Sequence, residues 1–205
     1  FTNGTVGVVG APGSRVSLAE VAAAGTWTVG PIAATGSYTT PPVEFDPGCA
    51  NGLLFPAMPT LTYHAHMAVV EVDPVTGEVT VQRYVVVQDV GRVINPTGVR
   101  GQIQGGVAQG IGHTLYESLR IKDCRYLERT LETYRLPLAV DIPTVELITL
   151  EHPDSEGPHG AKGVGEPPIS LVSAVVANAV SDATGSPVER IPITPEDVLD
   201  ALDRR

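Results

Sequence analysis

The sequence predicts an α+β fold, a mixed sheet with helices packed on it. Residues 67–72 and 78–87 alternate apolar and polar side chains on either side of Asp73-Pro74-Val75-Thr76-Gly77, the pattern of a β-hairpin. Ile103, Val107, Ile111 and Leu115 recur at helical spacing, and a second apolar helical pattern runs over 169–183. Residues 145–150 read as a further strand.

At 205 residues the chain is long enough for one large domain or two small ones. Hydrophobic residues make up 42% and charged residues 18%, a globular composition able to bury a core. The formal charge of −10 argues against nucleic acid or an anionic membrane as the main partner. No apolar run reaches the length of a bilayer span. Cys49 and Cys124 lie far apart without metal-type spacing and read as ordinary thiols of a reducing cytoplasm. No residue is assigned as a metal ligand. The chain opens on Phe1 without a charged-then-apolar leader pattern, and is expected to be a processed piece or part of a longer chain.

Taken in order, residues 1–10 read as a short strand broken by glycine. Ser17 and Glu20 have capping-box spacing and predict a helix that Gly25 stops near Ala24. Residues 30–60, rich in Pro, Gly and Thr, read as an irregular crossing segment. Such length fits a functional stretch or one packed on a partner surface. His64 and His66 sit on one side of an extended segment. With no third ligand nearby, a polar pair at a strand start is favoured over a metal pair.

A loop over 88–96 leads to a helix expected at 101–119. Glycines inside that helix cost about 1 kcal/mol each relative to alanine. Close packing against a ligand or another backbone would offset this. Gln102 and Gln104 are suited to bonding an amide-rich heterocycle, although tight helix packing alone also accounts for the glycines. Residues 123–137 read as polar loop. A helix with small residues is expected at 168–184, capped by Gly185, and a terminal helix at 195–203 behind Thr194 and Pro195.

The stretch Gly160-Ala161-Lys162-Gly163-Val164-Gly165-Glu166-Pro167-Pro168 carries the strongest functional signal. A glycine-rich turn feeding a helix start presents free N–H groups to an anion. It reads as a backbone cradle with Lys162 and Glu166 turned to an anionic group. Taken alone, a surface turn with Glu166 near a helix N-terminus is the commoner occurrence of such a pattern.

Several stretches together are more specific. Gly101-Gln102, Gly105-Gly106, Gln109-Gly110 and Gly112 come first, then Tyr134-Arg135-Leu136-Pro137, Lys162-Gly163-Val164-Gly165-Glu166, Asn178-Ala179 and Asp182-Ala183. With Asp89-Val90-Gly91, Ile94-Asn95-Pro96 and Pro192-Ile193-Thr194-Pro195-Glu196, this order resembles the molybdenum hydroxylases. These are the large subunits of xanthine dehydrogenase, aldehyde oxidoreductase and carbon monoxide dehydrogenase. The resemblance implies that residues 1–205 are the C-terminal portion, the second half, of a molybdopterin-binding domain.

It also implies part of an enzyme that oxidises an aldehyde, purine or N-heterocycle with a water-derived oxygen. Glu166 is then the general base, stiffened in place by Pro167 and Pro168. Burial beside an anionic cofactor would raise its pKa and a helix N-terminus would lower it. Gln102 contacts the pterin, and the backbone of Lys162, Gly163, Val164 and Gly165 lines the cofactor. The implied cofactor is molybdopterin with molybdenum, as the cytosine dinucleotide in bacterial members. Iron–sulfur clusters and FAD are expected on partner chains, beside a complementary large-subunit chain or N-terminal half. The assembly is expected to be cytoplasmic, to take a small-molecule substrate and to involve neither nucleic acid nor membrane. The alternative is a catalytically incomplete fragment, or a cofactor-binding or assembly module inactive on its own.

Overall fold

The computed structural model describes residues 3–28, 30–39 and 60–204. It divides into two units, Phe1–Thr39 and Thr40–Arg205. In the first, β1 (Thr5–Gly7) pairs antiparallel with β2 (Arg15–Ser17), which feeds α1 (Leu18–Trp27). The capping box forms: Ser17 Oγ accepts from the Glu20 N–H at 3.1 Å, and Glu20 Oε2 accepts from the Ser17 N–H at 2.8 Å.

Gly25 does not stop this helix, which continues to Trp27. A Cβ at Gly25 would lie 3.2 Å from Ile32 Cδ1, so the glycine admits the returning chain and leaves the helix intact. Residues 30–39 form neither helix nor strand. The rest of the expected crossing segment, 40–59 with Cys49, lies outside the described residues.

The second unit opens with the expected hairpin, β3 (His64–Val72) against β4 (Val79–Asp89). Val69 pairs with Arg83 but Val70 pairs with Val81, leaving Gln82 as an extra residue. This bulge changes which β4 residues face inward. Val79 and Val81 are buried before it, and Tyr84, Val86 and Gln88 after it.

α2 spans Pro96–Leu115, earlier at both ends than the expected 101–119. Asn95 is its N-cap, accepting the Gly98 N–H at 2.9 Å, with Pro96 at the first helical position. A small hairpin, β5 (Ile121–Lys122) with β6 (Arg125–Tyr126), runs into the expected loop over 123–137, which holds its second strand. β7 (Val145–Leu150) then returns parallel to β4, which makes the sheet mixed, in the order β3-β4-β7.

The helix expected at 168–184 is divided. α3 (Pro167–Ser170) and α4 (Val172–Thr184) meet at Leu171. Gly185 caps α4 in the left-handed conformation, φ 74°. α5 (Pro195–Asp203) begins with a Thr194–Asp197 capping box.

The core lies between the inner face of the sheet and the helices. Tyr84 and Val86 of β4 meet Ile103, Val107 and Ile111 of α2 and Val172, Val176 and Val180 of α4, all fully buried. Each such side chain contributes about 1.5–3 kcal/mol of transfer free energy. A Cβ at Gly106 would lie 2.7 Å from Pro168 Cβ, and one at Gly110 would collide with Val172. These two glycines let α2 lie directly on α3 and α4. No helix among the described residues is long and apolar enough to cross a membrane.

Candidate functional site

The glycine-rich turn is held from the end of β4. The Asp89 carboxylate accepts the Gly91 N–H at 2.9 Å, the His152 N–H at 3.2 Å and Lys162 Nζ at 2.6 Å. The Lys162 N–H donates to the Val90 carbonyl at 2.9 Å, and Arg92 N–H to the Gly160 carbonyl at 2.9 Å. Gly91 has φ +64°, and a Cβ there would lie 3.0 Å from Lys162 N and collide with Gly160 O. Burial alone would raise the Asp89 carboxyl. The Lys162 hydrogen bond and the two N–H donors outweigh burial and hold it below the usual carboxylate range.

Lys162 is therefore buried beside Asp89, with its side chain 8% exposed, and its ammonium is occupied by that carboxylate. The expectation that it turns its charge outward to an anion does not describe its side chain. Its backbone begins the exposed part of the turn. Val164 is half-buried against the core and anchors the turn by its side chain. Gly163 and Gly165 are exposed.

Glu166 is exposed at the N-cap of α3 and makes no side-chain capping bond. Pro167 and Pro168 form the first turn of α3, directly after Glu166. Gln102, exposed near the start of α2, comes next to this turn. A Cβ at Gly165 would have Gln102 Oε1, 3.8 Å away, as its nearest neighbour.

The remaining glycines divide cleanly. Cβ atoms at Gly101, Gly105 and Gly163 would meet nothing within 4 Å. Nothing among the described residues requires these positions to be bare, yet in a helix interior each glycine costs about 1 kcal/mol relative to alanine. A bare edge of α2, with Gly101, Gln102 and Gly105, thus meets the turn over 163–166 where Gln102 approaches Gly165.

Sequence reasoning left the polar residues beneath this edge without a role. His64 and His66 lie within β3, facing inward. His64 Nδ1 is 3.3 Å from His66 Nε2, and His66 Nδ1 is 2.9 Å from the Tyr84 hydroxyl. His64 Nε2 is 3.4 Å from Ser170 Oγ on α3. Burial, with His64 adding to it, pushes His66 down to about 4, and burial lowers His64 and raises Tyr84. The alternation of residues 64–72 was the available signal for the inward face. Gln88, fully buried and opposite His64 in register, has no hydrogen-bond partner for either amide atom among the described residues. Also among the described residues, no three His, Cys, Asp or Glu side chains are grouped to hold a metal ion.

The family model of the molybdopterin cofactor-binding domain matches residues 1–143. The chain is 38% identical over 204 residues to the nicotine 6-hydroxylase large subunit of Paenarthrobacter nicotinovorans, covering 97% of this chain and 24% of that one. It is 40% identical over 141 residues to the aldehyde oxidoreductase of Megalodesulfovibrio gigas, covering 68% of this chain and 15% of that one. Quinoline 2-oxidoreductase from Pseudomonas putida 86 superposes with a TM-score of 0.71 at 30% identity, over 98% of this chain and 25% of that one. The chain thus spans no more than a quarter of the length of these relatives. Their names are those of oxidoreductases and hydroxylases, and the sequence and fold agree in placing this chain in the molybdenum hydroxylase family, as part of its molybdopterin cofactor-binding domain.

Proposed function

We propose that this chain supplies the C-terminal half of a molybdopterin site and the general base of a hydroxylase. The observation that carries the reading is the edge where Gln102 meets Gly165 beside the exposed Glu166 carboxylate. The residues fit the group. Bare glycines would give a cofactor close access to backbone, and the Gln102 amide supplies both a donor and an acceptor. The bound molybdenum cofactor would supply the two-electron redox chemistry, in the cytosine dinucleotide form expected of bacterial members.

This chain's residues orient and move a proton. Gln102 and the backbone of Lys162, Gly163, Val164 and Gly165 hold the cofactor's edge. Glu166, at the N-cap of α3, accepts a proton from the attacking water-derived oxygen. The buried Lys162–Asp89 pair keeps the turn from shifting.

Among aldehydes, purines and N-heterocycles, we assign the N-heterocycles as the substrate class. Two of the relatives matching nearly the whole chain, at 38% and 30% identity, bear the names nicotine 6-hydroxylase and quinoline 2-oxidoreductase. The nicotine 6-hydroxylase relative is named as a large subunit. This supports a heteromer; in our reading a complementary large-subunit chain or N-terminal half completes the site, and partner chains carry the iron–sulfur clusters and the FAD. Glu166→Gln is the test. It should abolish turnover while bound molybdenum stays at the wild-type level, and unchanged turnover would remove Glu166 from the role of base. Mass spectrometry of the intact native complex with metal analysis checks the assembly. A lone chain without molybdenum would favour an inactive assembly module.

A further inference from the structure

We propose that Tyr84, His66, His64 and Ser170 form a one-way hydrogen-bond relay that positions the Glu166 turn from inside the core. The direction follows from its outer end. Ser170 Oγ–H donates to the Pro167 carbonyl at 2.9 Å, and a carbonyl can only accept. Ser170 Oγ is then left as acceptor for His64 Nε2–H at 3.4 Å. With its proton on Nε2, His64 presents Nδ1 as an acceptor, and His66 must donate from Nε2 across 3.3 Å. His66 Nδ1 in turn accepts the Tyr84 O–H at 2.9 Å. One choice at Ser170 fixes two tautomers and one hydroxyl rotor, and all the donations run from the buried tyrosine toward the turn.

The relay ends at Tyr84, which is fully buried. A proton conduit needs an exit at both ends and this chain has only one, so its work is positioning. It joins β3 and β4 to the residue that closes α3, the four-residue helix whose N-cap is Glu166. Both rings must be neutral for it to form. A second proton on His64 would place an N–H at Nδ1, facing the His66 donor. The edge-on ring packing of His64 on His66 and of His66 on Tyr84 holds the same alignment.

The kinetic part of this proposal rests on Glu166 being the base, whereas the tautomers can be read without turnover. The experiment is magic-angle-spinning NMR of the 15N-histidine-labelled holoprotein at neutral pH. His64→Gln and His66→Gln identify the two rings by loss of signal. Both rings should be neutral with the proton on Nε2; a proton on Nδ1 of either, or a cationic ring, overturns the relay.

Kinetics of three variants supply the second reading. His64→Leu and Ser170→Ala should each lower kcat roughly threefold to tenfold, the worth of one lost hydrogen bond, with KM and bound molybdenum unchanged. His64→Gln, whose amide nitrogen replaces Nε2–H, should restore kcat. If His64→Gln is as slow as His64→Leu, positioning through that donor is wrong. If Glu166→Gln is fully active while both tautomers are as assigned, the base reading fails and the relay stands as an anchor of the turn.

Discussion

Lys162 Nζ lies 2.6 Å from Asp89 Oδ2, with the two side chains 8% and 7% exposed, and this pair joins the end of β4 to a turn 73 residues later. Removing one member of a buried pair leaves the other charge without a partner, which costs about 3–5 kcal/mol. Lys162→Ala should therefore destabilise the protein by about that amount, and Asp89→Asn/Lys162→Met should recover much of the loss. Denaturant midpoints of the three proteins measure it. A Lys162→Ala protein as stable as wild type would show that the pair contributes nothing.

The glycines of α2 should behave in opposite ways. Gly110→Ala forces a Cβ into Val172 and should destabilise by about 1–3 kcal/mol. Gly105→Ala meets nothing and should stabilise the polypeptide by up to about 1 kcal/mol. If the bare edge receives the cofactor, Gly105→Ala should also reduce molybdenum bound per chain. Thermal melting and metal content of the same samples separate the two effects. Full molybdenum loading in Gly105→Ala would count against that edge.

His66 gives the fold a pH dependence whose sign is fixed. Its folded pKa is about 4, below the ordinary 6.5, so the unfolded chain binds the proton more readily. The stability tied to neutral His66 is complete above 6.5 and drains away as pH falls toward about 4. His64, the neighbouring histidine on this face, is shifted the same way by burial, whereas burial raises Tyr84. His66→Gln should flatten the stability profile between those pH values. An unchanged slope would place the acid sensitivity elsewhere.

Gln88 is buried with both amide atoms unpaired among the described residues. An unsatisfied buried polar group costs about 1–3 kcal/mol. Gln88→Met, close in volume and apolar, should raise the melting temperature. A lowered one would mean that the amide has a partner in the working protein.

Much of the fold was legible because its signals are local. The hairpin declared itself by alternation and turn chemistry, and the caps at Ser17, Thr194 and Gly185 by residue type within one helical turn. The start of α2 was equally local, since Asn95 and Pro96 are an N-cap and a first helical position, but the pair reads equally well as a loop. The break at Leu171 was not legible. An apolar period continues across it, while α3 and α4 each rest on a different glycine of α2.

By itself, the sequence determined the α+β class, the order of the main hairpin, the return strand and the long helices, the glycine turn and, through its ordered motifs, the family. Tertiary structure decided which glycines serve packing and which leave a surface bare, because the same absent Cβ faces Val172 at Gly110 and open space at Gly105. It also decided that the Lys162 charge is turned inward to Asp89, and that Ser170 meets His64 across 106 residues of chain. Pairings of that range depend on strand register. Here the single extra residue at Gln82 sets which face of β4 carries Tyr84 and Gln88 into the core.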